Sequence, residues 1–307
     1  MGRCFVSRQL PGDAVARLSE HHEVEVWPGD LPPSPAELAA ACAEVDGLIS
    51  LLTDRVDATL FESAASLKVV SNYAVGSDNV DLAEAERRGV AVGVTPDVLT
   101  MATADIAIGL LVSVARRLPE AASDVRAGRW RTWEPRGWLG LELSGATLAI
   151  VGAGRIGRAT AARAEAFGMN VELVGREDDL HDALSRADVV SLHVPLSSET
   201  RHLIDDAALR AMKSSALLIN TARGGLVDQD ALLAALREGR LGGAGLDVTD
   251  PEPLPADHPL LGAPNTIVLP HIGSATHKAR EKMAELTVDN LLAGLAGDPL
   301  PSPARAR

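Results

Sequence analysis

Residues 148–177 read LAIVGAGRIGRATAARAEAFGMNVELVGRE, and the order of signals in this stretch decides the fold. An apolar run at 148–151 meets Gly152-x-Gly154-x-x-Gly157, an alanine-rich helical segment follows, and a second apolar run occupies 171–174. Strand, glycine turn, helix and strand in that order open a dinucleotide-binding βαβ unit. Gly152 permits the tight turn, Gly154 lets the backbone approach a pyrophosphate, and Gly157 lets helix and strand pack closely. The first N–H groups of the helix, together with its dipole, then face the phosphates. Glycine-rich turns are common, so the flanking strands and helix carry the reading rather than the glycines alone.

On either side of this unit, strand signals alternate with helix signals. Before it, strands are expected at 4–7, 24–27, 47–52, 67–71 and 90–94, with helices at 12–20, 34–43 (Ser34 as N-cap), 57–65 and 80–88. After it come strands at 189–194, 216–220, 243–247 and 266–269. This alternation predicts open parallel sheets. One long apolar helix is expected over 102–118, then a Trp-, Gly- and Arg-rich arm at 128–140, and a closing amphipathic helix over 278–295. The tail from Gly297 reads as frayed. The fold class is therefore α/β, with two doubly wound parallel-sheet domains. Residues 1–98 with 276–307 form one, and residues 99–275, inserted in it, form the dinucleotide-binding one.

Composition narrows the function. The 307 residues are 46% hydrophobic and 3% aromatic, with a formal net charge of −13. Such a charge argues against nucleic acid or an anionic membrane surface as partner. Cys4 and Cys42 are too few for a disulfide framework or a metal site, so no metal is expected and a reducing cytoplasm fits. No positively charged segment followed by an apolar stretch opens the chain, and 106–115 is too short to span a bilayer, so neither a secretory signal nor a membrane span is expected.

Three later segments put polar residues at the carboxyl ends of strands, where ligands bind in such sheets. They are NTARGGLVD at 220–228, GLDVTDPEP at 245–253 and PHIGSAT at 270–276. Taken singly, Arg223, Glu252 and His271 also suit a surface arginine, an acid in a proline-rich loop and a satisfied histidine. Jointly, on successive strand ends, they supply an anion clamp, a proton donor and a carboxylate that tunes it. Reduction of a 2-keto acid needs that set.

These segments, with SNYAVGSDNVD at 71–81 and LHVPLSSET at 192–200, resemble the D-isomer-specific 2-hydroxyacid dehydrogenases over nearly the whole chain. TPDVLTMATAD at 95–105 is similar to the glyoxylate/hydroxypyruvate reductases among them. The resemblance implies a Rossmann cofactor domain inserted in a flavodoxin-like substrate domain, closing on the substrate. It implies Arg223 as substrate clamp, His271 as acid/base, and Glu252 as its partner. Asp247 takes the position that contacts the nicotinamide, and further cofactor contacts fall on Arg155, Ile156, Pro195, Thr200, Thr221, Ala222, Arg223, His271 and Gly273. Val75 and Gly76 match the site of the substrate carboxylate, where small residues also suit a nest of backbone N–H groups. Leu52 matches an apolar wall and equally suits ordinary core. Trp138 matches a tryptophan lent to a neighbouring subunit, or anchors its own arm.

Coenzyme choice turns on the end of the strand at 171–174. An NAD enzyme usually carries an acid there; this chain has Gly175 and then Arg176, which suits the 2′-phosphate of NADPH. Glu177, Asp178 and Asp179 follow at once and would repel a phosphate if turned inward, so NAD stays as the alternative. Asp179 also suits the N-cap of a short helix. The apolar helix from Ala102 and the arm to Gly140 predict a homodimer. Rival readings are reduction of another acid, such as D-lactate, phosphoglycerate or a phosphonate, and a non-catalytic, corepressor-like dinucleotide sensor. Around residues 47–80 only Arg55 and Lys68 are basic, which weighs against a phosphorylated substrate.

Overall fold

The computed structural model describes residues 1–305 and resolves two compact units, Met1–Leu99 with Ala275–Arg307, and Thr100–Ser274. Short apolar runs bounded by polar turns become strands, and amphipathic segments between them become the crossover helices. The first unit runs β1 (Arg3–Val6), α1 (Ala14–Ser19), β2 (Glu23–Val26), α2 (Pro35–Cys42), β3 (Gly47–Ser50), α3 (Ala58–Ser63), β4 (Val69–Asn72), α4 (Leu82–Arg88) and β5 (Ala91–Gly93). The second runs α5 (Thr100–Ala115), α6 (Leu118–Arg126), β6 (Thr147–Val151), α7 (Arg155–Ala166), β7 (Asn170–Val174), α8 (Leu180–Arg186), β8 (Val189–Leu192), α9 (Asp206–Ala211), β9 (Leu217–Asn220), α10 (Gln229–Arg237), β10 (Gly243–Leu246) and β11 (Thr266–Val268). The chain then returns to the first unit through α11 (His277–Ala296).

Both sheets are parallel throughout. The first is five-stranded in the order β2-β1-β3-β4-β5, the flavodoxin-like arrangement, and the second is six-stranded in the order β11-β10-β9-β8-β6-β7. Successive residues of a strand point to opposite faces, and the cores show it. In β6, Leu148 and Ile150 pack with α5 and α7 residues such as Leu111 and Ala164, while Ala149 and Val151 pack with Leu184, Leu209 and Leu232 on the other face. In the first unit Phe5, Leu48, Val70 and Val92 pack against Leu38, Leu60 and Phe61. The expected N-cap at Ser34 is present as a full capping box with Glu37, and Asp179 caps α8 through the Asp182 N–H.

Two expectations need correction. The tail is not frayed at 302–304: the Val94 N–H donates to Ser302 O at 2.9 Å and the Ala304 N–H to Val92 O at 2.7 Å, so the tail pairs with β5 across an antiparallel bridge at Pro303. Composition suggested a loose end, but an unpaired sheet edge offers a partner that composition does not reveal. Likewise, α5 does not present an exposed apolar face. Ala104, Ala107, Leu110, Leu111 and Val114 are buried in the second unit's own core, and the helix stops at Ala115. Met101 in its first turn is exposed, and the other large exposed apolar side chains of this stretch lie beyond it, at Leu118, Val125, Trp130, Trp133, Trp138 and Leu139.

Candidate active site

At the carboxyl ends of β9, β10 and β11, neighbours in one sheet, the chain delivers Arg223, Asp247 and His271. The register pairs Leu246 with both Asn220 and Val268, so the three strands end level. Glu252 joins them from the loop that follows β10. His271 Nδ1 lies 2.5 Å from Glu252 Oε1, and both side chains keep some exposure. With Nδ1 committed to the carboxylate, Nε2 is the nitrogen left to meet a ligand.

Backbone contacts hold this pair in place. Asp247 is 1% exposed and spends both carboxylate oxygens on the next loop, accepting the Ile272 N–H and the Gly273 N–H, each at 2.7 Å. The His271 N–H donates to Asp247 O at 2.9 Å. Burial pushes the Asp247 carboxyl upward, an effect opposed by those two backbone donors. His271 itself sits at φ +53°, a left-handed conformation that costs a histidine energy and that these bonds enforce. Asp247 thus fixes the His271 loop, whatever further contact it makes.

The Arg223 turn is built in the same way. Asn220 donates from Nδ2 to Arg223 O at 2.8 Å and accepts the Ala222 N–H at 3.0 Å, while Arg223 Nη1 donates to Ala222 O at 2.8 Å. A Cβ on Gly224 would lie 2.0 Å from the Thr249 carbonyl, so only glycine lets this turn press against the loop carrying Glu252. Asn220 was missed in the sequence; the signal was a lone amide ending an otherwise apolar strand.

The residues at the head of the second unit suit a dinucleotide. Gly152 has φ +103°, and a Cβ on Gly157 would fall 2.1 Å from Gly152 O. Gly154 is the N-cap of α7 with no side-chain bond, and nothing lies within 4 Å of its Cβ position, so the helix start offers backbone rather than a side chain to a ligand. After β9, in the same sheet, Thr221 is 8% exposed and its buried hydroxyl has no hydrogen-bond partner among the described residues. An orphaned buried hydroxyl at a strand end of the sheet that carries the glycine turn fits a bound dinucleotide. Thr200, by contrast, uses its hydroxyl inside its own turn, donating to Pro195 O at 2.7 Å and accepting the Ser197 N–H at 2.8 Å.

At the end of β7, Arg176 is highly exposed and pairs with Glu199 at 3.2 Å. Asp178 folds back to accept the Gly175 N–H at 2.7 Å. Trp138, at φ +56°, lies 5.7 Å under the Arg117 guanidinium in its own arm. Leu52, Val75 and Gly76 belong to the first unit, on the loops after β3 and β4. Among the described residues there is no metal-binding cluster, and no helix is long and apolar enough to cross a membrane.

Comparison with known proteins shows the family. The sequence model of the D-isomer-specific 2-hydroxyacid dehydrogenase NAD-binding domain matches residues 108–273. A glyoxylate reductase of Korarchaeum cryptofilum is 46% identical over 310 residues, 96% of this chain and 93% of that protein. A solved structure from Thermus thermophilus superposes with a TM-score of 0.94 at 51% identity, covering 99% of this chain and 100% of that one. An NADPH-dependent glyoxylate/hydroxypyruvate reductase from Sinorhizobium meliloti, solved with NADP and malonate, gives 0.87 at 33% identity, covering 99% and 98%. The fold, the glycine cradle and these likenesses agree: the chain belongs to the D-isomer-specific 2-hydroxyacid dehydrogenases and is an NAD(P)-dependent oxidoreductase.

Proposed function

We propose that the protein reduces a small 2-keto acid, glyoxylate or hydroxypyruvate, to the D-2-hydroxy acid with NADPH. The observation that supports this most is the His271–Glu252 pair at the strand ends of the sheet that also carries the glycine turn. When bound, a dihydronicotinamide supplies the hydride for C2. His271 gives the proton from Nε2 to the carbonyl oxygen, so hydride and proton together convert C=O to CH–OH. Glu252 holds the ring by Nδ1 and so orients Nε2. Arg223 presents its planar fork of donors to the substrate's carbonyl and carboxylate oxygens. The substrate carboxylate is further assigned to the backbone N–H groups near Val75 and Gly76, and Leu52 to the apolar side of the substrate.

NADPH is favoured because Arg176 ends β7 where a 2′-phosphate would sit, while Asp179 is occupied in capping α8. Asp178 brings a carboxylate back to the same strand end, so NADH is expected to serve as the weaker coenzyme. The arm from Leu118 to Leu139 exposes enough apolar surface to support a homodimer, with Trp138 placed to face the partner. Buried, unpaired Cys4 and Cys42 suit the cytoplasm.

The test is coenzyme absorbance with glyoxylate, hydroxypyruvate, pyruvate and phosphoglycerate as substrates. Turnover of the first two is expected, and His271→Ala should lower kcat by about 10²–10⁴ while NADPH still binds. Tight coenzyme binding with no turnover of any 2-keto acid would instead support a sensor. Arg176→Ala should raise KM for NADPH about tenfold and leave NADH unaffected; equal effects on both would remove the phosphate assignment.

A further inference from the structure

The first unit holds a buried polar network that none of the steps above uses. Asn72, the last residue of β4, is fully buried. Its Nδ2 donates to Gly76 O and to Asn79 Oδ1, both at 2.9 Å, and its Oδ1 accepts the Ser50 hydroxyl at 3.1 Å. Asn79 then reaches across to the loop after β3, donating from Nδ2 to Leu51 O at 2.9 Å and to Asp54 O at 3.0 Å. That loop is held from below by buried Asp54, whose Oδ2 accepts the Leu51 N–H at 2.7 Å and the Ser7 hydroxyl. Two loops, one carrying Leu52 and the other Val75 and Gly76, are fastened together by side-chain amides.

The backbone consequence is specific. A trans peptide is planar, so fixing its C=O also aims the N–H of the next residue in the opposite direction. The Ala74 carbonyl accepts the Thr95 N–H at 2.8 Å, which aims the Val75 N–H; Asn72 grips the Gly76 carbonyl, which aims the Ser77 N–H. The preceding turn is pinned by the Tyr73 N–H on Ser50 O and the Ala74 N–H on Asn72 O, each at 2.7 Å. None of the three residues from Val75 to Ser77 has an N–H bonded to a partner among the described residues. No residue there has a left-handed φ, so the Val75 and Ser77 N–H groups are aimed by the clamped Ala74 and Gly76 carbonyls rather than by a left-handed nest.

We propose that Asn72 and Asn79 are positioning residues for the substrate carboxylate: they hold the Gly76 carbonyl and the Leu51–Asp54 backbone together so that the N–H groups of 75–77 point at the anion. This rests on the assignment of the carboxylate to that loop. Preorganised backbone donors strengthen anion binding because no ordering remains to be done at the moment of contact.

The test uses full-length protein and steady-state kinetics with glyoxylate. Asn79→Ala is expected to raise KM at least tenfold, with kcat within about threefold and NADPH affinity unchanged by fluorescence titration. Ser50→Ala removes only one bond to Asn72 and keeps the fold, so a two- to fivefold rise in KM is expected even if Asn79→Ala fails to fold. Faster backbone hydrogen exchange across 73–79 in both variants should accompany the loss. An active wild type with Ser50→Ala and folded Asn79→Ala both at wild-type KM overturns the proposal, and lowered melting temperature alone would mark the network as merely structural. A wild type inactive on every 2-keto acid overturns the functional reading instead, and the substrate role of these amides falls with it.

Discussion

Two histidines at strand ends show how surroundings divide one side-chain type between roles. His271 keeps access to solvent and a carboxylate on Nδ1, the setting of a proton donor. Glu252→Gln keeps the acceptor but not the charge, so kcat should fall about ten- to a hundredfold at nearly constant KM; an unchanged kcat would remove Glu252 from the mechanism. His193 follows β8 with its Nε2 at 2.8 Å from the Ser191 hydroxyl, and burial pushes its pKa down from 6.5 to about 4. It is neutral near pH 7 and is not the donor. As pH falls from about 6.5 towards 4, the unfolded chain takes up a proton that folded His193 refuses, so stability declines across that window and the loss is complete near the folded value. Melting temperature measured against pH should therefore drop less steeply in His193→Gln than in wild type.

At the scale of elements, edges and loop braces matter more than helix propensity. The tail contributes two backbone bonds to β5, and the Ser302 N–H donates to Asn290 Oδ1 at 2.9 Å. Asn290 is itself fully buried in α11 and donates to Val94 O at 3.1 Å. Ending the chain after Gly297 removes these bonds at about 1 kcal/mol each and leaves a buried amide partly unsatisfied. Such a truncation should lower the unfolding free energy measured in urea by a few kcal/mol without changing coenzyme affinity. Full stability in the truncated chain would mean that the tail only rests on the edge strand. The strand-end loops of the second unit follow the same rule: Asn220 and Asp247 spend their polar atoms on backbone and so fix Arg223 and His271.

For the whole molecule, the open question is assembly. Helix α6 buries none of its residues within its own chain, and Trp130 and Trp133 beyond it are 70% and 79% exposed. Two exposed tryptophans and neighbouring aliphatic residues on one arm are unfavourable in water unless covered. Light scattering should give twice the 32.1 kDa chain mass. The double substitution Trp130→Ser with Trp133→Ser should shift the population to monomer. A monomeric wild type would count against the dimer and against a cross-subunit role for Trp138.

The linear chain by itself determined the α/β class, the glycine cradle and the three strand-end segments, because each depends on local periodicity or on residues a few positions apart. Ser34 and Asp179 were legible as caps for the same reason. The pairing of Glu252 with His271 was legible only through the family resemblance, and tertiary structure alone decided that Gly224 must lack a side chain beneath Thr249, that the tail covers β5, and that α5 packs into the core. Those outcomes depend on contacts between residues distant in sequence, where packing and hydrogen-bond satisfaction, not composition, set the free energy.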